Sequence, residues 1–282
     1  MSMLTLCDFD PRKTSGNITL TRSGKLILNG PELTEIERPR YVNWVNRVLE
    51  QHRGTTVDEF WVWFDLDKGY ARDINRWIKF AMQKQVQRLE IHLSGFRSCD
   101  PRRSTRYTFP YQRLLRLQTR GCFKSLKDLT LRQVNVSWEV VDYFLANCRN
   151  LERLFVRESN HLEKLSVVGS SLRLKHLGVY HCNRLKSINI CDTNLVSLKY
   201  VGPTTRLLVN NAPLLVDVSI SHGMFSNFML RQLSSCFSQL QILTLSKANV
   251  RVSVYNDDIS VCSFFPFIML SCNLPSFWLF AG

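Results

Sequence analysis

The chain has 282 residues with a 45% hydrophobic fraction, which is enough to bury a full core as one elongated domain or as two globular domains. A formal net charge of +14 favours an acidic protein surface, nucleic acid or an anionic membrane as partner, although charge does not specify a fold. The nine cysteines include no C-x-x-C pair and residues 1–4 lack the basic start of a signal peptide, so we expect reduced thiols and a cytoplasmic or nuclear protein.

Residues 1–56 predict an N-terminal flanking segment of short strands followed by one helix. Leu26-Ile27-Leu28 is a strand-like run before the turn signal Asn29-Gly30-Pro31. Pro39 suits the first turn of a helix, and Gly54 is expected to end it. The apolar face of that helix contains Tyr41, Trp44, Val45, Val48 and Leu49.

Two strands with one shared spacing follow, and a second helix separates them. The strands are Val57-x-x-Phe60-x-Val62 and Val86-x-x-Leu89-x-Ile91, and the helix carries Ile74, Trp77, Ile78 and Ala81 on one face. Asp65 and Asp67 follow the first strand and could pair as catalytic carboxylates. We favour the simpler interpretation, because carboxylates at the exit of an exposed loop need no catalytic role.

Arginines crowd residues 97–120, where the strand spacing lapses. The segment contains Arg97, Arg102, Arg103, Arg106, Arg113, Arg116 and Arg120 against a single acid, Asp100. As a basic insertion it could contact an anionic partner such as nucleic acid. As a solvated loop, which is the interpretation we favour, it is held to the core by Tyr107, Phe109 and Tyr111.

From Leu126 to Val250 one apolar spacing returns nine times. Its clearest copy begins at Leu174 and follows L-x-x-L-x-L-x-x-C-x-x-L, with Val179 in the third apolar position. Two apolar residues that alternate on a strand point to one side, and Cys182 is expected to turn inward beneath the next bend. The other copies begin at Leu126, Leu151, Leu162, Leu185, Leu195, Thr204, Leu215 and Leu240.

The intervals between copies predict how many strands each coil contains. The outer copies lie 25 residues apart (126 to 151 and 215 to 240), within the 20–29 residues usual for one repeat. Between 151 and 215 the steps shrink to 9–12 residues, and pairs of steps give 23, 21 and 20. We therefore predict two strands per coil there, with starts near 151, 174, 195 and 215 on the concave wall and near 162, 185 and 204 on the convex wall.

The longer outer coils should carry helices on the convex side. One is predicted after Ser137 as N-cap, and a weaker one from Phe225 to Phe237. Together these patterns predict an α/β leucine-rich-repeat solenoid over 57–250, a horseshoe with a parallel concave sheet and short convex strands instead of helices in some coils.

Residues 251–282 form a divergent hydrophobic tail in which the repeat disappears. From Ile259 to Gly282 there is no charged residue. We expect this tail to cap the last coil. A membrane span, which Pro266 and Pro275 would interrupt, and a tail that is not native sequence are the alternatives.

No sequence motif points to catalysis, a cofactor or a metal. His176, His181 and Cys182 lie close together, but the period of a strand puts His181 on the opposite face from the other two. The chain contains no G-x-G-x-x-G, P-loop or G-x-S-x-G motif. We therefore expect a protein that is not an enzyme and that holds neither cofactor nor metal.

Several segments carry a resemblance to a known family. Residues 41–49 (YVNWVNRVL), His52-Arg53-Gly54, Phe64-Asp65-Leu66-Asp67 and residues 74–78 (INRWI) resemble the plant F-box/LRR-repeat proteins, and so do residues 4–10, 107–110, 174–179 and 194–200. The resemblance covers about residues 4–250. It implies a substrate receptor of an SCF-type ubiquitin ligase, in which an F-box docks on the adaptor and the repeats choose the substrate.

The F-box of that family would precede Leu4, so we expect this chain to lack one. We therefore expect the repeats to act as a protein-protein interaction module, with adaptor binding only if an F-box is restored. The alternative is a basic nucleic-acid-binding protein that uses residues 97–120, which a steep salt dependence would reveal.

We call the repeated apolar residues of the nine copies the ladder leucines. The strand positions beside them predict the recognition surface. They present arginine and aromatic residues, the types that dominate binding hot spots, so we expect an acidic, partly apolar protein partner. Neighbouring polar positions are Asp128, Thr130, Ser197, Asp217 and Ser219. The candidate partner-binding residues are Arg132, Arg153, Phe155, Arg157, His176, Tyr180 and Lys199.

Overall fold

The computed structural model describes residues 17–20, 25–29, 38–93, 106–112, 115, 123–221, 233–247, 250–255 and 278–281. The chain divides into two compact units, residues 1–135 and 136–282. Among the described residues, no helix has both the length and the apolar character that crossing a membrane requires.

The N-terminal unit is built on a mostly parallel sheet of short strands. Its strands are β1 (Asn17–Leu20), β2 (Lys25–Asn29), β3 (Glu59–Trp63), β4 (Arg88–His92) and β5 (Asp128–Arg132). β1 pairs antiparallel with β2, and β2, β3, β4 and β5 pair in parallel in that order. The parallel sheet thus includes β2, which lies before Val57. The boundaries 57–250 that we expect for the repeat domain remain a prediction.

Two helices cover the sheet of this unit, α1 (Arg38–Gln51) and α2 (Ala71–Gln83). The predicted apolar faces are buried, except that Trp44 is only half-buried. Trp77 is fully buried, and its indole Nε1 donates a hydrogen bond of 2.8 Å to Oδ1 of Asn46 on α1. Tyr41 of α1 stacks on Phe64 with ring centroids 3.7 Å apart. These contacts fix both helices against one another and against the end of β3.

The described residues of the C-terminal unit form two sheets and one α-helix. The helix is α3 (Trp138–Asn147), and the first strands are β6 (Arg153–Arg157), β7 (Lys164–Val168), β8 (His176–Tyr180), β9 (Ser187–Cys191), β10 (Ser197–Val201), β11 (Arg206–Asn210) and β12 (Asp217–Ser221). The last strands are β13 (Ile242–Lys247), β14 (Val250–Tyr255) and β15 (Trp278–Ala281).

Alternate strands of this unit belong to different sheets, as the spacing predicts. β6, β8, β10, β12 and β13 pair in parallel in one sheet, which we call the main sheet. β7, β9 and β11 pair in parallel in a separate second sheet. The prediction of two strands per coil between 151 and 215 is confirmed, because no strand of one set pairs with a strand of the other in this described stretch.

The helices of the outer coils are only partly as predicted. α3 begins directly after Ser137, whose backbone is extended, but the Ser137 side chain makes no capping hydrogen bond. The predicted helix from Phe225 to Phe237 falls mostly outside the described residues, and its described end is a 3-10 helix over Ser234–Gln239. In the tail, β14 and β15 continue the main sheet as antiparallel strands.

The chain leaves most of these strands through one kind of turn. The residue after the strand adopts a left-handed backbone, with φ of 58° at Glu158, 53° at His181 and 52° at Asp192. The next residue is small and buried, as at Ser159 and Cys182. The prediction that Cys182 turns inward beneath the bend is confirmed. The small buried residue lets the chain fold back under the ladder leucines of its own coil.

Candidate functional site

The outward side chains of the main sheet form rows, because the strands of the C-terminal unit pair without any shift of register. The ladder leucines occupy alternate positions and are buried, so the positions between them face outward. The first row is Arg153, His176, Ser197 and Asp217; the second is Phe155, Gly178, Lys199 and Ser219; the third is Arg157, Tyr180, Val201 and Ser221. We call this surface the main-sheet face.

Two aromatic rings converge over a glycine in the middle of this face. A Cβ on Gly178 would lie only 2.6 Å from Cε1 of Phe155 and 2.8 Å from Cε2 of Tyr180. The rings of Phe155 and Tyr180 are stacked, with centroids 6.5 Å apart and planes 26° from parallel. Phe155 is therefore half-buried rather than exposed, because its ring leans across the strand gap into the space that a side chain at 178 would fill.

A guanidinium covers part of the tyrosine. Cζ of Arg157 lies 5.3 Å from the centroid of the Tyr180 ring, which is a cation–π arrangement. Nε of Arg157 also lies 3.7 Å from Oε1 of Glu158. Burial raises the pKa of Tyr180, while Arg157 lowers it and Asp217 raises it. The tyrosine therefore stays neutral at physiological pH and offers its ring and hydroxyl.

The cations of the face lie to either side of the aromatic pair. Lys199 is exposed and is paired in register with Gly178 on the side away from Phe155. Arg153 is exposed and His176 half-buried, and they are neighbours in the first row. At the far end of that row the hydroxyl of Ser197 donates a hydrogen bond of 3.0 Å to Oδ2 of Asp217. The basic charge is thus concentrated on β6 and β10.

Six of the seven predicted partner-binding residues lie on the main-sheet face of the C-terminal unit. The seventh, Arg132, ends β5 in the N-terminal unit and is half-buried, as are Asp128 and Thr130 on the same strand. Gly178 was missed by the reasoning from sequence. A glycine inside a strand is a known signal for close approach of another group, so the signal was present.

The N-terminal unit carries an aromatic pair that the sequence reasoning also missed. Trp63 at the end of β3 is 43% exposed. It stacks on His92 of β4, with centroids 5.0 Å apart and planes 17° from parallel. The alternation Trp61-Val62-Trp63 was the available signal, because it places both indoles on the face opposite the buried Val62.

The structure assigns Asp65 and Asp67 to local stabilisation. Nη2 of Arg38 donates a hydrogen bond of 3.0 Å to Oδ2 of Asp65. Oδ1 of Asp67 accepts a hydrogen bond of 2.8 Å from the backbone N–H of Gly69, which caps a short 3-10 helix. Within the described part of the chain, no three His, Cys, Asp or Glu residues come together as metal ligands. The thiol of Cys182 is buried, and burial raises its pKa to about 11.

The arginine-rich segment lies mostly outside the described residues. Of its seven arginines, only Arg106 lies within the described ranges. Tyr107 and Phe109 are buried, and the Tyr107 hydroxyl donates a hydrogen bond of 2.7 Å to Oδ1 of Asn75. Tyr107 and Phe109 are thus held in the core as predicted, whereas Tyr111, the third aromatic of that prediction, is only half-buried. Nucleic-acid binding by the arginines stays an untested alternative.

The second sheet of the C-terminal unit offers a contrasting surface. Its outward positions on β11 are Arg206, Leu208 and Asn210, all exposed. Val168 on β7 is 51% exposed. At β7, Nζ of Lys164 lies 3.7 Å from the centroid of the Trp138 ring, but no two aromatic rings of the described residues stack on this face, so the outward positions of β11 serve as the control for the main-sheet face.

Comparison with known proteins places these repeats among plant sequences. Residues 116–257 match the family model described as "At1g61320/AtMIF1, LRR domain". The F-box/LRR-repeat protein At3g26922 of Arabidopsis thaliana is 25% identical over 205 residues, which cover 67% of this chain and 66% of that protein. The F-box/FBD/LRR-repeat protein At4g26340 of Arabidopsis thaliana is 28% identical over 199 residues, which cover 61% of this chain and 46% of that protein.

The chain spans less than two thirds of the length of each of these two relatives. No solved structure matches it.

Proposed function

We propose that this chain is the substrate-recognition part of an F-box-type ubiquitin-ligase receptor. The premise is that the chain belongs to the plant F-box/LRR-repeat family through its At1g61320/AtMIF1-type leucine-rich-repeat domain. The resemblance seen in the sequence is thereby confirmed at the level of the family. The proposed activity is binding of a protein segment on the main-sheet face, and it requires no catalytic group.

The observation that supports this proposal is the cluster of Phe155, Tyr180 and Arg157 on the main-sheet face. A half-buried aromatic pair keeps apolar surface at the protein exterior, which costs solvation free energy unless a partner covers it. The rings are held by packing over Gly178, so little conformational entropy remains to be lost on binding. Aromatic residues and arginine in this arrangement are typical of binding hot spots.

The charge of the face supports an acidic partner. Arg153, Arg157 and Lys199 surround the aromatic pair, while Asp217, the acid on β12 of this unit, accepts a hydrogen bond from Ser197. Carboxylates of a partner would meet cations on either side of an apolar centre. We therefore expect the partner to be an acidic, partly apolar protein segment rather than a nucleic acid.

Site-specific photo-cross-linking tests this proposal even while the partner is unidentified. The photoreactive residue p-benzoylphenylalanine replaces Phe155 in one protein and Leu208 on the second sheet in a matched control. We expect plant extract to yield a cross-linked protein from position 155 that is absent from position 208. Mass spectrometry then identifies the captured protein for purification. Equal capture at both positions, or capture at 208 alone, would contradict the assignment of the site.

The ligase part of the proposal concerns the adaptor. The family resemblance implies that an F-box docks on the adaptor, so this chain alone should not bind it, and the same chain with an F-box joined upstream should. Co-purification of purified adaptor with the two proteins tests this. Adaptor binding by the chain alone, at micromolar concentration, would contradict it.

A further inference from the structure

We infer that the main-sheet face recognises an extended segment in which one apolar residue stands between two acidic residues, and that Gly178 sets this specificity. The inference rests on the proposed function, since it takes the main-sheet face as the binding site. It adds the order of the partner's side chains and assigns a role to a residue that has no side chain of its own.

Gly178 determines where the apolar residue of the partner can lie. It is buried beneath the rings of Phe155 and Tyr180, which both reach into the volume that a Cβ would occupy. Any side chain at this position would push the two rings apart and upward. With glycine, the rings lie low and form one continuous apolar floor across β6 and β8. A partner's aliphatic or aromatic side chain fits on this floor, where it covers both rings at once.

Two cations flank that floor on opposite sides. Arg157 ends β6 with its Cζ 5.3 Å from the centroid of the Tyr180 ring, whereas Lys199 lies on β10, opposite Gly178. Neither side chain is held by a strong ion pair: the contact of Arg157 with Glu158 is 3.7 Å, and Lys199 is exposed. Both are therefore available to carboxylates that arrive with the apolar residue.

The spacing of the cations sets the spacing of the carboxylates. β6 and β10 are two strands apart, about 10 Å, and the second and third rows are two residues apart, about 7 Å. The backbone positions of Arg157 and Lys199 are thus about 12 Å from each other. An extended chain advances roughly 3.3–3.6 Å per residue, so two acids about three or four positions apart match this distance. The apolar residue falls between them.

Asp217 limits how far the partner's acidic pattern can extend across the sheet beyond β10. It stands two strands beyond the aromatic pair and accepts the hydrogen bond from Ser197. Ser219 and Ser221 complete the outward positions of β12. A carboxylate over β12 would meet an acid and two hydroxyls instead of a cation. The segment is therefore expected to become polar and uncharged, or basic, once it passes β10.

Peptide selection tests the inference directly. A phage-displayed library of random dodecapeptides is selected on the intact chain, and enriched peptides are synthesised and titrated by fluorescence anisotropy. We expect an enriched pattern of acid, apolar residue and acid, with the acids three or four positions apart. We expect binding to weaken roughly fivefold or more in Gly178→Ala and about tenfold in Lys199→Glu. Arg206→Glu on the second sheet is the matched charge control and should leave the affinity unchanged.

A second selection protects the test against a folding defect in Gly178→Ala. Lys199 is exposed, so Lys199→Glu should fold as the wild type does, which circular dichroism and thermal melting verify. When the library is selected on Lys199→Glu, one of the two acids should be replaced by lysine or arginine. A general loss of structure in the variant could not produce this exchange of charge in the selected peptides.

The possible outcomes separate the inference from the proposed function. Peptides whose binding requires Phe155 but which lack the acidic pattern, or which bind Lys199→Glu and a well-folded Gly178→Ala as tightly as the wild type, would overturn the inference and leave the proposed site in place. Peptides whose binding is insensitive to Phe155→Ala, or selection of none, would overturn both. Preference for a duplex DNA oligonucleotide over every peptide would also overturn both.

Discussion

The thiol of Cys182 lies 3.9 Å from the carbonyl oxygen of Val156, one strand away in the main sheet. Cys182 is fully buried, and its thiol also lies 3.6 Å from the carbonyl oxygen of Tyr180. The sulfur thus fills the bend after β8 and satisfies backbone acceptors there. A thiolate at this place would lose its hydration and face two carbonyl oxygens, so the fold holds the thiol in its neutral form.

The first prediction is that the protein loses stability in alkali. The pKa of the Cys182 thiol is raised from 9.0 to about 11, and that of Cys236 is likewise raised to about 11. Between about pH 9 and 11 the unfolded chain releases these protons while the folded chain keeps them. The free energy of unfolding should therefore fall as the pH rises through this window, by at most about 1.4 kcal/mol per pH unit for each thiol.

Urea unfolding at pH 8, 9, 10 and 10.5 measures this fall. Cys182→Ala should be less stable at pH 8, because it leaves a small cavity, and it should lose less stability between pH 9 and 10.5 than the wild type does. An identical pH dependence in the two proteins would show that the Cys182 thiol is not held neutral by the fold.

The second prediction concerns the fully buried Trp77 in the N-terminal unit. Asn46 accepts its indole N–H at 2.8 Å and donates from Nδ2 to Oδ1 of Asp73, also at 2.8 Å. Asn46→Ala should lower the free energy of unfolding by about 1–3 kcal/mol, because the buried indole N–H loses its acceptor. The matched control is Asn43→Ala, three residues earlier on the exposed side of α1, which should change it by less than about 0.5 kcal/mol. Equal effects of the two substitutions in guanidinium denaturation would contradict this prediction.

The third prediction distinguishes a protein partner from nucleic acid by salt. A segment held by two or three cations and an apolar centre should lose only a modest part of its affinity when salt rises from 50 to 200 mM. A protein making six to ten phosphate contacts loses about 10³–10⁵-fold over the same range. Titrating the partner captured at position 155 at both salt concentrations measures this. A loss of the larger size would contradict binding through two or three cations around an apolar centre.

The arrangement of the strands could be predicted because it follows from distances along the chain alone. Steps of 9–12 residues are too short for a full coil, so adjacent copies such as those at Leu162 and Leu174 cannot be neighbours in one sheet. The burial of the ladder residues follows from the period of two along each strand. Which residues end each helix was less predictable: α1 ends at Gln51, three residues before the expected stop at Gly54.

The candidate site was only partly predictable, since contacts between strands depend on how side chains lean. The alternation on β6 correctly placed Phe155 on the outward face, but it implied an exposed ring. The ring is half-buried because Gly178, 23 positions later in the sequence, leaves room for it on the neighbouring strand. Neither the register of β6 with β8 nor the tilt of the ring can be obtained from the spacing of one strand.

The central claim is that the protein binds its partner through the aromatic and basic cluster of the main-sheet face. Isothermal titration of the purified partner, identified by cross-linking at position 155, tests it most directly. Phe155→Ala and Arg157→Ala should each weaken binding by about 1–3 kcal/mol, which is roughly 5- to 150-fold, with unchanged circular dichroism. The second-sheet controls Leu208→Ala and Arg206→Ala should bind as the wild type does. Wild-type affinity in both Phe155→Ala and Arg157→Ala would contradict the claim and move the site elsewhere.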